Sequence, residues 1–350
     1  MTCRSCSAAL ASPVASHMGN CRLNQALIGA DAGQILQADP IKNGRITGPK
    51  WKGLSMLTST STLRVLDPAP NILAFYDGRV ANTRLYSDES NWLDNGAYLL
   101  GVASYVVYDG NEALVFDTHI SIAHAKAIRQ ELENRGITSI RVVLSHYHQD
   151  HVAGNEAFTD CEIIACRKTE QALLENQQAF AAGTPSIEPL VMPTTIFEGE
   201  KTLHVGEIEV ALRPLEIHSF DGLVLYLPKT QILLAADTLE DTVTYVDEPH
   251  RLEVHLTELD RLSTWDVSAI LPSHGDPDRI ASGGYDVTFI KATRDYVAKL
   301  LRCPEEPKLG AQTLSEFVAA DIESGALIYI EAYERVHRNN VKVVLETAGK

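Results

Sequence analysis

Ser145-His146-Tyr147-His148-Gln149-Asp150-His151 packs three imidazoles and a carboxylate into six positions. It directly follows Ile140-Arg141-Val142-Val143-Leu144, a short, apolar, β-branched run that predicts a buried strand. The cluster therefore sits where a core strand ends and a loop begins, the usual place for chemical groups to be presented. His146 and His148 are two apart and project to the same side of an extended segment. Borderline dications such as Zn²⁺ take imidazole nitrogen and carboxylate oxygen, and a catalytic site keeps one position open for water. Six residues cannot close two coordination spheres, so a metal reading requires further His or Asp downstream.

Three such residues follow. His218 lies in Leu215-Glu216-Ile217-His218-Ser219-Phe220-Asp221-Gly222, just before the strand-like Leu223-Val224-Leu225-Tyr226-Leu227. Asp237 ends the run Ile232-Leu233-Leu234-Ala235-Ala236. His274 follows Ala269-Ile270-Leu271-Pro272-Ser273 and precedes Gly275. Each stands at or near the edge of a separate apolar segment.

With H-x-H-x-D-H, a distant His, an Asp closing an apolar strand and a final His before Gly, the chain resembles the metallo-β-lactamase-fold hydrolase superfamily. The resemblance runs from about Val65 to Arg302. It implies an α/β fold, a four-layer αββα sandwich with metals at one edge between the sheets. It implies two divalent ions, Zn²⁺ first, with Fe or Mn as alternatives. His146, His148 and His218 would hold one ion, and Asp150, His151 and His274 the other. Asp237 would bridge the two, together with a water or hydroxide. Asp117, at the end of Ala113-Leu114-Val115-Phe116-Asp117, would support the metal loop without binding metal. A water shared by two dications loses a proton near neutral pH and becomes a nucleophile. Asp150 would also act catalytically, passing a proton to the leaving group.

The expected function is metal-dependent hydrolysis of an ester, lactone, thioester or amide carbonyl in a small molecule. Departures from known subgroups narrow little. The commonest zinc β-lactamases carry Cys where this chain has Asp237. Glyoxalase II and the acyl-homoserine lactonases have Thr-Pro-Gly-His where this chain continues Ser-Phe-Asp-Gly. An iron-dependent, dioxygenase-like oxidoreductase is the first alternative, and a phosphodiesterase or nuclease-type hydrolase the second.

Composition adds bounds. The chain has 350 residues, 45% hydrophobic and 22% charged, with a net charge of −16. An acidic surface repels phosphate backbones and disfavours a nucleic-acid partner. Cys3-Arg4-Ser5-Cys6 has no second pair at zinc-ribbon spacing. With no apolar run of about 18 residues or more, no membrane partner is expected. No convincing signal peptide opens the chain, so the expected location is cytoplasmic. Oligomeric state has no signature.

Three regions are expected: a loosely structured extension over 1–60, the metallo-β-lactamase-like domain over 61–304, and a helical extension packed on it over 305–350. Strands are expected over 98–108 and 113–116, flanking the turn Asp109-Gly110-Asn111-Glu112. A helix over 121–135 should stop at Gly136, and Gly154 should let the backbone turn tightly beside the site. Further helices are expected over 168–181, 252–262, 289–301, 314–319 and 326–346. Substrate choice is assigned to loops 78–97, 181–193 and 238–251. His17, His119, His124, His204, His250 and His255 read as polar surface residues. Tyr147 and Tyr245 read as packing groups.

Overall fold

A computed structural model describes residues 58–349. Most of the expected N-terminal extension, with His17 and the Cys3/Cys6 pair, lies outside the described residues. Strands β1 (Arg64–Ala69), β2 (Ile72–Asp77), β3 (Val102–Asp109), β4 (Glu112–Phe116), β5 (Ser139–Val143), β6 (Glu162–Cys166) and β7 (Thr195–Phe197) form a seven-stranded sheet in sequential order. Its first four strands pair antiparallel and the rest parallel. Strands β8 (Lys201–Val205), β9 (Ile208–Pro214), β10 (Leu223–Leu227), β11 (Ile232–Ala236) and β12 (Ala269–Pro272) form a second sheet, ordered β12-β11-β10-β9-β8. The longer helices are α1 (Ile122–Asn134), α3 (Arg167–Ala182), α4 (Leu252–Leu262), α6 (Thr288–Arg302) and α10 (Tyr333–Ala348). Short ones are α2 (Gln149–Val152), α5 (Pro277–Ala281), α7 (Pro307–Gly310), α8 (Leu314–Phe317) and α9 (Ala319–Glu323).

Side-chain alternation stacks these elements in four layers. In β10, Leu223, Leu225 and Leu227 face Tyr105, Leu114 and Phe116 of the other sheet, while Val224 faces outward. Leu73, Phe75, Val106 and Val115 cover the first sheet's outer face and pack on Ile128 and Leu132 of α1 and Leu173 and Phe180 of α3. On the second sheet's outer face, Val224, Leu233, Ala235 and Ile270 meet Leu259 of α4, Phe289 and Val297 of α6, and Val341 and Val344 of α10. Because both sheets are covered on both faces, their central strands read as unbroken apolar runs. The fold is thus the αββα sandwich. None of the described helices is long and apolar enough to cross a membrane.

Several elements differ from the sequence reading. The strand expected over 98–108 begins only at Val102, and Leu93–Tyr98 forms a π-helical turn. Gly101 takes a φ of +79°, and a Cβ there would come within 2.0 Å of the Tyr76 hydroxyl. The chain therefore bends before the strand can start. The segment over 314–319 divides into α8 and α9 at Val318, where φ is −115°. The helix expected over 326–346 begins at Tyr333. Its first residues spend their amides elsewhere: Ile328 N donates to Asp241 Oδ1 at 2.9 Å and Ile330 N to Thr242 Oγ1 at 3.1 Å. Those donors cannot also close helical turns. Gly154 has a φ of −91°, so no left-handed turn requires it. A Cβ there would lie 2.0 Å from Thr118 O, so close backbone approach is what requires glycine.

Candidate metal centre

The sequence-predicted residues converge at one edge of the sandwich. His146 and His148 follow β5, and Asp150 and His151 ride on α2. His218 lies in the turn between β9 and β10, Asp237 directly follows β11, and His274 lies two residues past β12. They form two groups, His146/His148/His218/Asp237 and Asp150/His151/Asp237/His274, with Asp237 common to both. Within each group the candidate donor atoms lie within 4.8 Å of one another. Both groups take donors from both sheets.

The geometry suits cations. His148 Nδ1 lies 3.0 Å from His146 Nε2 and 3.0 Å from His218 Nε2. Three ring nitrogens aimed at one point suit a metal better than shared protons. Asp237 Oδ2 is 3.1 Å from His151 Nε2 and 3.2 Å from His274 Nε2, which is also 3.2 Å from Asp150 Oδ2. Asp237 Oδ1 is buried without a hydrogen-bond partner.

The opposite ring nitrogens are occupied, which fixes ring orientation and sharpens the donor edge. His151 Nδ1 is 2.9 Å from Asp117 Oδ2, and Asp117 Oδ1 accepts Ser145 N at 2.7 Å. His146 Nδ1 meets Ser145 Oγ at 2.8 Å, and His274 Nδ1 meets Gly101 O at 2.5 Å. His218 Nδ1 is 3.2 Å from both Tyr245 O and Glu240 Oε1. Only His148, at the rim, has a loose second partner, Asp247 Oδ2 at 3.9 Å.

Burial and mutual repulsion among imidazoles hold His146 well below its ordinary range, and His148 down to about 4. Burial would also lower His218, but Glu240 and Asp237 outweigh it and lift it to about 9. Burial would raise Asp237, yet His151 and His274 hold its carboxylate well below the usual range. Asp150 falls to about 2, because His151 and His274 outweigh its burial. The donor set is thus carboxylates held ionised among imidazoles, some of them proton-hungry, and bound dications would take the protons' place.

His119, His124 and His255 depart from the surface reading: all three are buried. His119 Nε2 lies 3.1 Å from Phe75 O, and its ring stacks on His124 at 4.6 Å. His124 meets Asp77 Oδ2 at 2.8 Å and Ser121 Oγ at 2.7 Å. Partners inside the fold thus replace water for these two. Burial pushes His255 down to about 3, so it sits in the core as a neutral ring. His204 and His250 are exposed. Tyr147 packs edge-on against His148 at 4.6 Å, and at Tyr245 it is the carbonyl that meets His218. Glu240 is the residue sequence reasoning missed. Its signal was a carboxylate three positions past Asp237, in Asp237-Thr238-Leu239-Glu240-Asp241.

A family model described as the metallo-beta-lactamase superfamily matches residues 97–274, about half of the chain and all seven convergent residues. The chain is similar to a linear primary-alkylsulfatase of Pseudomonas sp. (strain ATCC 19151), 21% identical over 232 residues. That match covers 53% of this chain and 43% of the relative, so the chain spans under half of that protein's length. Among solved structures, DIM-1 metallo-beta-lactamase exposed to ceftazidime is 23% identical with a TM-score of 0.52, covering 67% of this chain and 96% of that one. A metallo-beta-lactamase from Pontibacter korlensis is 16% identical with a TM-score of 0.53, covering 67% and 99%. At these identities the likeness is one of fold. The family match and the four-layer sandwich agree, and the chain belongs to the metallo-beta-lactamase superfamily.

Proposed function

We propose that this chain is a dinuclear metal-dependent hydrolase of small molecules, acting on an ester, lactone, thioester or amide carbonyl. The observation that carries this reading is the pair of four-residue donor groups sharing Asp237. His146, His148 and His218 would hold one divalent ion, Asp150, His151 and His274 the other, and Asp237 would span both. Zn²⁺ suits this mix of imidazole and carboxylate, as do Fe and Mn. When bound, such ions acidify water and stabilise negative charge on a carbonyl oxygen.

The protein's own part is orientation. Asp117, Glu240 and the Gly101 and Tyr245 carbonyls hold the ring planes of His151, His218 and His274. Asp150, with 17% of its side chain exposed against 4% for Asp237, is the more open of the two carboxylates and would take a proton and hand it to a leaving group. His148, 20% exposed, and Tyr147 beside it form the rim through which a substrate would enter.

The alkylsulfatase relative supports a second reading, hydrolysis of a sulfate ester at the same centre. The deciding experiment pairs metal analysis of the purified protein with a panel of lactones, thioesters, β-lactams, phosphodiesters and a medium-chain alkyl sulfate. Chelator-sensitive turnover of a carbonyl substrate, lost in Asp237→Ala, supports the first reading. Turnover of the alkyl sulfate alone supports the second. Bound iron with oxygen consumption and no hydrolysis overturns both.

A further inference from the structure

The helical tail reaches the metal centre through one buried side chain. Asn340 of α10 is wholly buried. Its carboxamide donates to Thr244 O at 2.7 Å and accepts from Val246 N at 3.0 Å. A neighbouring strand's peptide would pair with residues 244–246 in the same way. The pairing brackets Tyr245, whose carbonyl lies 3.2 Å from His218 Nδ1 and whose amide donates to Glu240 Oε1 at 2.8 Å. Glu240, 1% exposed, lies 3.2 Å from the same ring nitrogen. Asn340 is itself held: it donates to the Tyr296 hydroxyl at 3.0 Å, and that hydroxyl lies 3.1 Å from His337 Nδ1.

A ring nitrogen that donates to a carboxylate leaves the opposite nitrogen more basic and fixes its aim. We infer that Asn340 and Glu240 act as one positioning unit for His218, so that the C-terminal helix sets the affinity and geometry of the first cation site. The inference rests on the metal assignment proposed above. Asn340 is a positioning residue, since it reaches the site only through Tyr245 and Glu240. A contrasting clamp lies nearby. Thr242 Oγ1 donates to Ile328 O at 2.7 Å and accepts Ile330 N at 3.1 Å. It ties the same loop to the same tail by bonds that do not pass through His218.

The test uses the full chain, with Zn²⁺ alone competed against a chromophoric chelator and Co²⁺ substitution read by its visible absorption. Asn340→Leu and Glu240→Gln should each weaken one Zn²⁺ by roughly 10- to 100-fold. That site should be the one His148→Ala abolishes. The other Zn²⁺ should stay within about threefold, and the Co²⁺ bands should shift. Thr242→Val should lower the unfolding temperature and leave both affinities and the spectrum unchanged. If Asn340→Leu does not fold, Asn340→Asp replaces it, keeping the acceptor for Val246 N and losing the donor to Thr244 O. Unchanged Zn²⁺ affinity and Co²⁺ bands in the Asn340 variant and in Glu240→Gln overturn the inference. A wild type binding two Zn²⁺ beside such variants sinks this link alone. A wild type binding fewer than two removes the dinuclear reading and the inference with it.

Discussion

Asp237 carries the most chemistry of any single residue here, because it is the one donor common to both groups. Two dications held there would repel each other, and a carboxylate shared between them would offset that repulsion. Asp237→Ala should therefore lower the metal content of both sites and cut turnover by roughly 10³-fold or more. Glu198→Ala, on an exposed turn, should do neither. Full metal content in Asp237→Ala would remove the bridging role. A second residue, Asp241, makes a pH prediction. Its buried carboxyl accepts from Ile328 N at 2.9 Å and from the Tyr285 hydroxyl at 2.8 Å. Burial lifts its pKa to about 6, and those donors together with Arg79 only partly oppose the rise. The folded form thus binds this proton more tightly than the unfolded chain does. The contribution to stability is full below about pH 4 and is lost as pH rises through 6. Asp241→Asn mimics the protonated form. Measured side by side in denaturant, its advantage over wild type should grow from pH 4 to 6 by on the order of 3 kcal/mol, then level off. A difference that stays flat across that range would contradict the assignment.

Among elements, α2 is the tightest constraint, since it carries Asp150 and His151 and its C-terminal end abuts the turn after β4. Gly154→Ala would drive a Cβ into Thr118 O. The expected cost is about 1–3 kcal/mol, seen as a lower denaturation midpoint. On the proposed assignment, Zn²⁺ binding at the group with His151 should weaken more than at the group with His146, and equal weakening would mean that α2 does not shift. Such elements also divide what the sequence disclosed from what it hid. The seven converging residues were legible because cation chemistry favours a few residue types, and they gather at or near the edges of four apolar runs. The supports were not. Gly101 and Tyr245 act through carbonyls, which every residue has. Ala326-Leu327-Ile328-Tyr329-Ile330 reads as a helix start, but Asp241 and Thr242, far away in sequence, draw the Ile328 and Ile330 amides away. His119 and His124 looked like surface residues because nothing local announces Phe75 O or Asp77 as their partners.

At the scale of the whole molecule, the two sheets meet around the donor groups. His146, His148, Asp150 and His151 follow a strand of the first sheet, whereas His218, Asp237 and His274 follow strands of the second. Cations held there should stabilise the folded chain by mass action, by about 2.7 kcal/mol for each site at a free concentration one hundred times its dissociation constant. The unfolding temperature should climb with added Zn²⁺, fall with chelator, and stay nearly flat in Asp237→Ala. A wild-type unfolding temperature indifferent to metal would mean that the sheets hold together without it. Donors drawn from both sheets also bear on the lifetime of the chain. Copies made under metal shortage would open more often, and opened chains are the ones proteases cut. Abundance would then follow supply, with starved copies cleared and loaded copies kept, and the amount of this protein would register the metal available to its host.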